Sequence, residues 1–255
     1  MNMKRSKNRF EDFFATQAYI ELKNSLYNYR LRKFSVSRQV KNENGLTVEI
    51  GSGISPMIEG TESVVYTDLS FSALNQLRQF TSNSQCVVAD ATKLPFKTDS
   101  VKNVICSEVL EHIADDTSCV QELWRISSGC GKLVITFPHR RCYFANDDRY
   151  VSHYRRYELF EMIEKLSLSG FYIEQVEKVL GPIEKITMMG VIGVIKLVGG
   201  RKDGCRRDFS RFTVPKWAGK IFRLLNLGFA EFAWLDAKLM PRATASVLLI
   251  CARKN

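Results

Sequence analysis

Val48-Glu49-Ile50-Gly51-Ser52-Gly53 decides the reading of this chain, because a short β-branched run passes straight into a glycine turn. Gly51 and Gly53 permit positive φ and let backbone N–H groups approach a ligand that a Cβ would hold off. A Gly-x-Gly after a strand is as often a plain tight turn as a nucleotide site, so the neighbouring strands carry the decision. The next β-branched run, Val64 to Thr67, ends in Asp68 and Leu69, with Asp68 seventeen residues after Gly51. That is close to the roughly 20 residues at which an acidic side chain takes ribose hydroxyls. The alternative for Asp68 is an N-cap of the helix that follows. A third run reaches Asp90 and Ala91. Three successive strands thus deliver a glycine turn or a carboxylate to one edge.

Working outward, β-branched runs at Leu46 to Ile50, Val64 to Thr67, Cys86 to Ala89, Val101 to Cys106 and Lys132 to Phe137 alternate with helical patterns. The helical patterns are Ser72 to Phe80, Asp115 to Ile126 and Glu158 to Leu168. Such alternation predicts an α/β fold with a doubly wound, mostly parallel sheet, whose ligands bind beyond the carboxyl ends of the strands. Phe171 to Leu180 reads as a sixth strand and Ser246 to Cys251 as a seventh. Residues 181–245 between them far exceed the usual connection of about 4 to 6 residues, which predicts a helical insertion before the last strand. The expected organisation is a basic helical segment over 1–41, including Phe10 to Tyr29, a core over 42–180, the insertion over 181–245, and the last strand and tail over 246–255.

A dinucleotide site wants a third glycine three residues after the second, and position 56 is proline. Acidic strand ends without a phosphate-binding lysine instead suit a nucleoside that lacks phosphates and carries positive charge. S-adenosylmethionine, with its ammonium and sulfonium, has that chemistry. Residues 46–138 resemble the core of the class I S-adenosylmethionine-dependent methyltransferases, in the broad subgroup whose fourth strand ends in a stretch like Glu108-Val109-Leu110-Glu111-His112. The resemblance implies a Rossmann-like fold with Glu49, Gly51, Ser52 and Gly53 around the methionine part and Asp68, beside Leu69, on the ribose diol. It also implies Asp90 and Ala91 at the adenine, and Ser107 and Glu108 near the methionine and the methyl. The short connection Ile54 to Ser63, with Pro56 and Gly60, departs from the pattern by leaving little room for a full first helix.

Methyl transfer from a sulfonium is a displacement governed by orientation and approach, and a base helps only when the acceptor is a weak nucleophile. His139, just after Pro138, and His153, in His153-Tyr154-Arg155-Arg156-Tyr157, are the catalytic candidates. His153 has an equal alternative as part of a docking surface for the helix that follows. His112 is expected to be structural. No metal site is expected, because the seven cysteines include no C-x-x-C pair and no histidine at zinc-ligand spacing. The cysteines read as reduced thiols, most of them filling the core.

The formal net charge of +10 is unevenly spread. Residues 1–41 carry a net +7, residues 42–200 a net −5 and residues 201–255 a net +8. In the insertion, the apolar stretch Ile186 to Val198, the basic stretch Arg201 to Lys220 and the aromatic stretch Phe222 to Trp234 follow one another. Trp217, Phe222, Leu225, Phe229 and Phe232 recur at helical spacing. A helical pair packed on the sheet edge is one reading, and a segment resting on an anionic membrane surface is another. No signal peptide and no membrane span are evident, so a cytoplasmic enzyme, peripheral to the membrane at most, is expected. Its acceptor is expected to be a small, lipid-like or glycan molecule. An RNA or protein acceptor, or an inactive partner subunit, is the alternative, and nucleic acid is disfavoured because the fourth strand does not end in an Asn-Pro-Pro type of stretch.

Overall fold

The structure, a computed structural model, describes residues 24, 26–41, 43–59, 63–81, 84–198 and 216–255. Its sheet contains β1 (Thr47–Ile50), β2 (Val64–Asp68), β3 (Gln85–Val88), β4 (Val101–Ser107), β5 (Ser127–Pro138), β6 (Phe171–Leu180) and β7 (Val247–Lys254), in the order β3-β2-β1-β4-β5-β7-β6. The first five strands pair in parallel. Only β7 runs antiparallel, to β5 on one side and β6 on the other, so β6 is parallel to the first five. The strand order reverses at β1, which opens a crevice beyond its carboxyl end.

Helices cover both faces, as a mostly parallel sheet requires. They are α1 (Tyr27–Val40), α2 (Phe71–Phe80), α3 (Asp116–Ile126), α4 (Asn146–Tyr150), α5 (Leu159–Leu168), α6 (Pro182–Val198) and α7 (Lys216–Leu239). The alternation along β5 divides the core: Leu133, Ile135 and Phe137 face a cluster with Leu123 and Leu166, whereas Val134 faces one with Val36 and Val40 of α1. β7 alternates likewise, with Leu248 and Ile250 on the first face and Leu249 and Cys251 on the second. Local chemistry starts the helices on time. Ser70 Oγ accepts the Ala73 N–H at 3.2 Å and caps α2, and Asp115 accepts the Ser118 N–H at 3.1 Å and caps α3.

The last strand runs three residues further than its apolar pattern suggests. Arg253 lies opposite both Lys132 and Tyr172, and its guanidinium reaches Glu174 at 2.7 Å. Lys254 sits over the Trp124 ring and donates to the Trp124 and Ser127 carbonyls, each at 2.9 Å. Partners on both edges hold as strand what charge alone reads as a tail. Between β5 and α5 the short helix α4 forms, where Asp148 accepts the Ala145 N–H at 2.9 Å and begins the turn.

In the insertion α6 and α7 form a pair. α7 buries Asn226, Ala233, Asp236 and Ala237 and turns Leu224, Phe232, Leu235 and Leu239 outward. Among its described side chains these small and polar residues face the protein, and these large apolar ones face solvent. Of the aromatic stripe, Phe229 and Phe232 are both exposed; the side chains of Trp217, Phe222 and Leu225 lie outside the described residues, as do residues 201–215 of the basic stretch and residues 1–23 of the expected N-terminal helical segment. No helix among the described residues is long and apolar enough to cross a membrane. Of the described cysteines, Cys106, Cys119 and Cys251 are buried, Cys86 packs against a core cluster, and Cys130 and Cys142 are exposed.

Candidate active site

β1 delivers the glycine turn directly over the crevice. Gly51 has φ +68° and Gly53 has φ +55°. A Cβ on Gly51 would stand 2.5 Å from Val109 Cγ2, so the turn closes against the end of β4 only because there is none. Glu49 is buried, and its carboxylate accepts the N–H groups of Met57 at 2.7 Å and Ile58 at 3.3 Å. It fastens the short connection after the turn, which Tyr29 and Tyr66 also hold through the Pro56 and Ile58 carbonyls at 2.9 Å each. Asp68 accepts the Gly53 N–H at 2.9 Å with one oxygen and the Ser70 N–H at 2.8 Å with the other. The N-cap of α2 is Ser70, so Asp68 is a brace between two strand ends rather than a cap. Asp90 closes a local turn by accepting from the Thr92 backbone and hydroxyl.

At the end of β4, Ser107 Oγ bonds Thr136 Oγ1 at 2.8 Å. Glu108 then takes a left-handed backbone, φ +55°, a conformation that non-glycine residues rarely adopt and that clusters at functional sites. Its N–H donates to the Thr136 carbonyl at 3.1 Å, and its carboxylate pairs with Arg32 of α1 at 3.0 Å. All ten residues expected around a cofactor, from Glu49 to Glu108, line one cavity of about 370 Å³, within the size range of small-ligand sites. Seven of the residues around that cavity are carboxylates, against the arginines Arg32 and Arg156, which suits a positively charged ligand.

The two catalytic candidates separate. His153 lines the cavity, with Nδ1 3.0 Å from Asp148 Oδ1. Burial alone would raise the Asp148 carboxyl, but its hydrogen bond to His153 and the charges of Arg156 and Lys185 outweigh that and hold it well below the ordinary carboxylate value. Asp148 thus engages Nδ1 and fixes the ring orientation, with Nε2 on the other side of the ring. His139 is buried with Nδ1 2.9 Å from the Ala245 carbonyl, and it is not among the residues lining the cavity. Its burial lowers its pKa and favours the neutral ring. That placement at the junction of β5 and β7 withdraws it as a catalytic candidate.

The sequence does not single out most of the far wall. Asn28 and Arg32 of α1 and Glu184 and Met188 of α6 all line the cavity. Asp147, Asp148 and Arg156 join them from the segment around His153. Behind them Lys185 Nζ lies 2.7 Å from both oxygens of Asp147 and 2.8 Å from Asp148, and Arg156 Nε lies 2.7 Å from Asp148. This buried network ties α4 to α6 and so fixes the wall. Glu184 is buried as well, and desolvation raises its carboxyl pKa.

Residues 48–135 match the methyltransferase-domain family. An uncharacterised protein of Methanocaldococcus jannaschii is 30% identical over 97 residues, which are 37% of this chain and 41% of that protein's length. Among solved structures, the protein bound to the Trm112 methyltransferase activator in a Haloferax volcanii complex superposes with TM-score 0.61 at 14% identity, over 96% of this chain and 97% of that one. A SAM-dependent methyltransferase of Thermotoga maritima gives 0.60 at 16% identity, over 96% and 98%. Phosphoethanolamine N-methyltransferase 2 of Haemonchus contortus, in complex with S-adenosylmethionine, gives 0.56 at 18% identity, over 96% and 60%. Residues 48–135 thus match the methyltransferase-domain family, and the fold around them is one that solved SAM-dependent methyltransferases share.

Proposed function

We propose that the chain moves the methyl group of S-adenosylmethionine to a small, lipid-like or glycan acceptor. The observation that carries this is the roof over the end of β4. The Arg32–Glu108 ion pair brings α1 across the strand end, and Glu184 and Met188 bring α6 down beside it. A chamber walled by two helices admits a small group or a thin chain, whereas a folded protein or an RNA helix needs an open face.

The glycine turn and the acidic lining fit the cofactor. Asp68 would hold the ribose hydroxyls, Asp90 and Ala91 would meet the adenine, and the turn from Gly51 to Gly53, with Glu49 bracing it, would give the methionine part its space. When bound, S-adenosylmethionine supplies a methyl on a sulfonium, open to displacement. Ser107 and Glu108 would stand near that end, with Glu108 held in place by Arg32. His153 completes the acceptor side, because its Nε2 lone pair can take a proton from an acceptor hydroxyl while Asp148 holds the ring. Such a base contributes about 10² to 10⁴ in rate.

The outward apolar residues of α7, with Ile186 and Met189 exposed on α6, favour a lipid-like acceptor approached from an anionic membrane surface. The test is transfer of labelled methyl from S-adenosylmethionine into fractionated small molecules, lipids, glycans, RNA and protein. Label in the small-molecule, lipid or glycan fractions supports the reading, and label confined to RNA or protein overturns it. His153→Ala should then lower turnover by roughly a hundredfold or more and leave S-adenosylmethionine affinity unchanged.

A further inference from the structure

Glu111 is fully buried beside the cavity, and neither of its carboxylate oxygens receives a hydrogen bond from another described residue. A carboxylate in that position carries a large desolvation cost unless a cation or a proton compensates it. Two imidazoles adjoin it. His153 Nε2 lies 3.7 Å from Glu111 Oε1, and the rings of His112 and His153 meet edge to face with centroids 4.6 Å apart. One carboxylate oxygen and one nitrogen from each ring lie within 4.8 Å of one another.

The geometry makes this grouping specific. His153 Nδ1 lies 3.0 Å from Asp148 Oδ1, which leaves Nε2 as the ring nitrogen that faces Glu111. A separation of 3.7 Å is too long for a hydrogen bond. An imidazole nitrogen and a buried carboxyl oxygen therefore face each other without a hydrogen bond, and a cation between them would satisfy both. We infer that Glu111, His112 and His153 form a binding site for a divalent first-row transition ion, with open coordination positions facing the cavity.

Two imidazoles and one carboxylate suit zinc, manganese or ferrous iron. Ligand atoms about 2.0 to 2.2 Å from an ion stand roughly 3.3 to 3.6 Å apart in a tetrahedral set. The His153–Glu111 pair is already near that spacing, and the widest separation closes by about an ångström. Asp148 supplies the carboxylate that a ligating histidine ordinarily has on its other nitrogen, fixing ring and tautomer. Asp148 is itself fixed by Lys185 and Arg156.

His112 and His153 line the cavity together with Ser107 and Glu108, so the open positions lie where the acceptor enters. An acceptor hydroxyl bound to the ion would lose its proton more readily. That consequence rests on the proposed methyl transfer; ion binding itself does not. An ion on Nε2 also occupies the lone pair that His153 otherwise offers as a base.

The test uses the full chain, stripped with chelator, dialysed against Zn²⁺ or Mn²⁺ with Mg²⁺ as a hard-ion comparison, and counted by elemental mass spectrometry. One Zn²⁺ or Mn²⁺ per chain is expected. Glu111→Gln should weaken binding a hundredfold or more, and Asp148→Asn by about 10- to 100-fold. His139→Gln should leave it unchanged. Without metal, Glu111→Gln should melt at the same or a higher temperature than the parent, since it removes an uncompensated buried charge; with saturating Zn²⁺ the parent should melt higher. No stoichiometric ion, or equal affinity in a folded Glu111→Gln chain that still binds S-adenosylmethionine, overturns the site. Failure of the parent chain to bind S-adenosylmethionine would overturn the methyltransferase reading instead, whatever the metal count.

Discussion

Replacing Lys185 by methionine should unlatch α6 from the cavity, and the structure sets the size of the effect. The ammonium makes three contacts of 2.7 to 2.8 Å to Asp147 and Asp148, and all three side chains are at most 8% exposed. Methionine matches the stem of lysine but leaves Asp147 and Asp148 to share Arg156, whose distances to them are 4.0 Å and 2.7 Å. Removing one partner from a buried ionic group costs about 3 to 5 kcal/mol. For a domain of this size that corresponds to a fall in melting temperature of roughly 6 to 20 °C. The pH dependence has a definite sign. Asp148 is held below its ordinary value in the parent, so its stabilisation is present above the unfolded carboxylate pKa near 4 and is lost as the pH falls below that. In the variant two carboxylates left with one arginine favour a proton, so the gap between parent and variant should narrow from pH 7 to pH 4. Urea titrations at both pH values measure it. A loss under 1 kcal/mol at pH 7, or a gap that widens in acid, would refute the network as the anchor of α6.

Asp68→Ala should weaken S-adenosylmethionine by about 1 to 3 kcal/mol, the usual cost of losing hydrogen bonds to a charged group; calorimetry on the folded variant measures it, and NAD should give no binding heat with the parent. Gly51→Ala should cost about 1 to 2 kcal/mol for the left-handed backbone alone, more because its Cβ meets Val109, and should weaken S-adenosylmethionine; an unchanged melting temperature would mean that the turn can rearrange. The chain should sediment with anionic liposomes and less so at high salt, and Phe232→Asp with Leu239→Asp should reduce that recovery. Equal recovery in the supernatant under all conditions, with tight RNA binding instead, would favour the nucleic-acid alternative.

The cavity wall from Glu49 to Asp90 was legible because each of its parts is local. Gly51 and Gly53 sit in one turn, Asp68 and Asp90 each end a run of β-branched residues, and a parallel sheet brings consecutive strand ends to one edge whatever the loops do. β6 was legible to the residue for the same reason, its alternation being bounded by Gly170 and Gly181. Where partners rather than pattern set the structure, the reading stopped short. β7 continues through Arg253 and Lys254 because Glu174, Trp124 and Ser127 receive them, and none of those residues is near in sequence.

The opposite wall of the cavity joins residues whose separation in the chain hides their relation. Arg32 reaches Glu108 across 76 positions, and Lys185 reaches Asp147 and Asp148 across 38 and 37. Histidine shows the same limit from the other direction. His139 and His153 both follow the fifth strand in sequence, yet the left-handed residue Arg140, φ +69°, lets the chain turn so that His139 is enclosed at Ala245. Ser152, φ +65°, precedes the histidine that does line the cavity. A reading of residue types alone ranks the two histidines together. What separates them is which carboxylate or carbonyl each ring can reach, and Asp148, five residues before His153, was the one clue in the sequence that lay close enough to use.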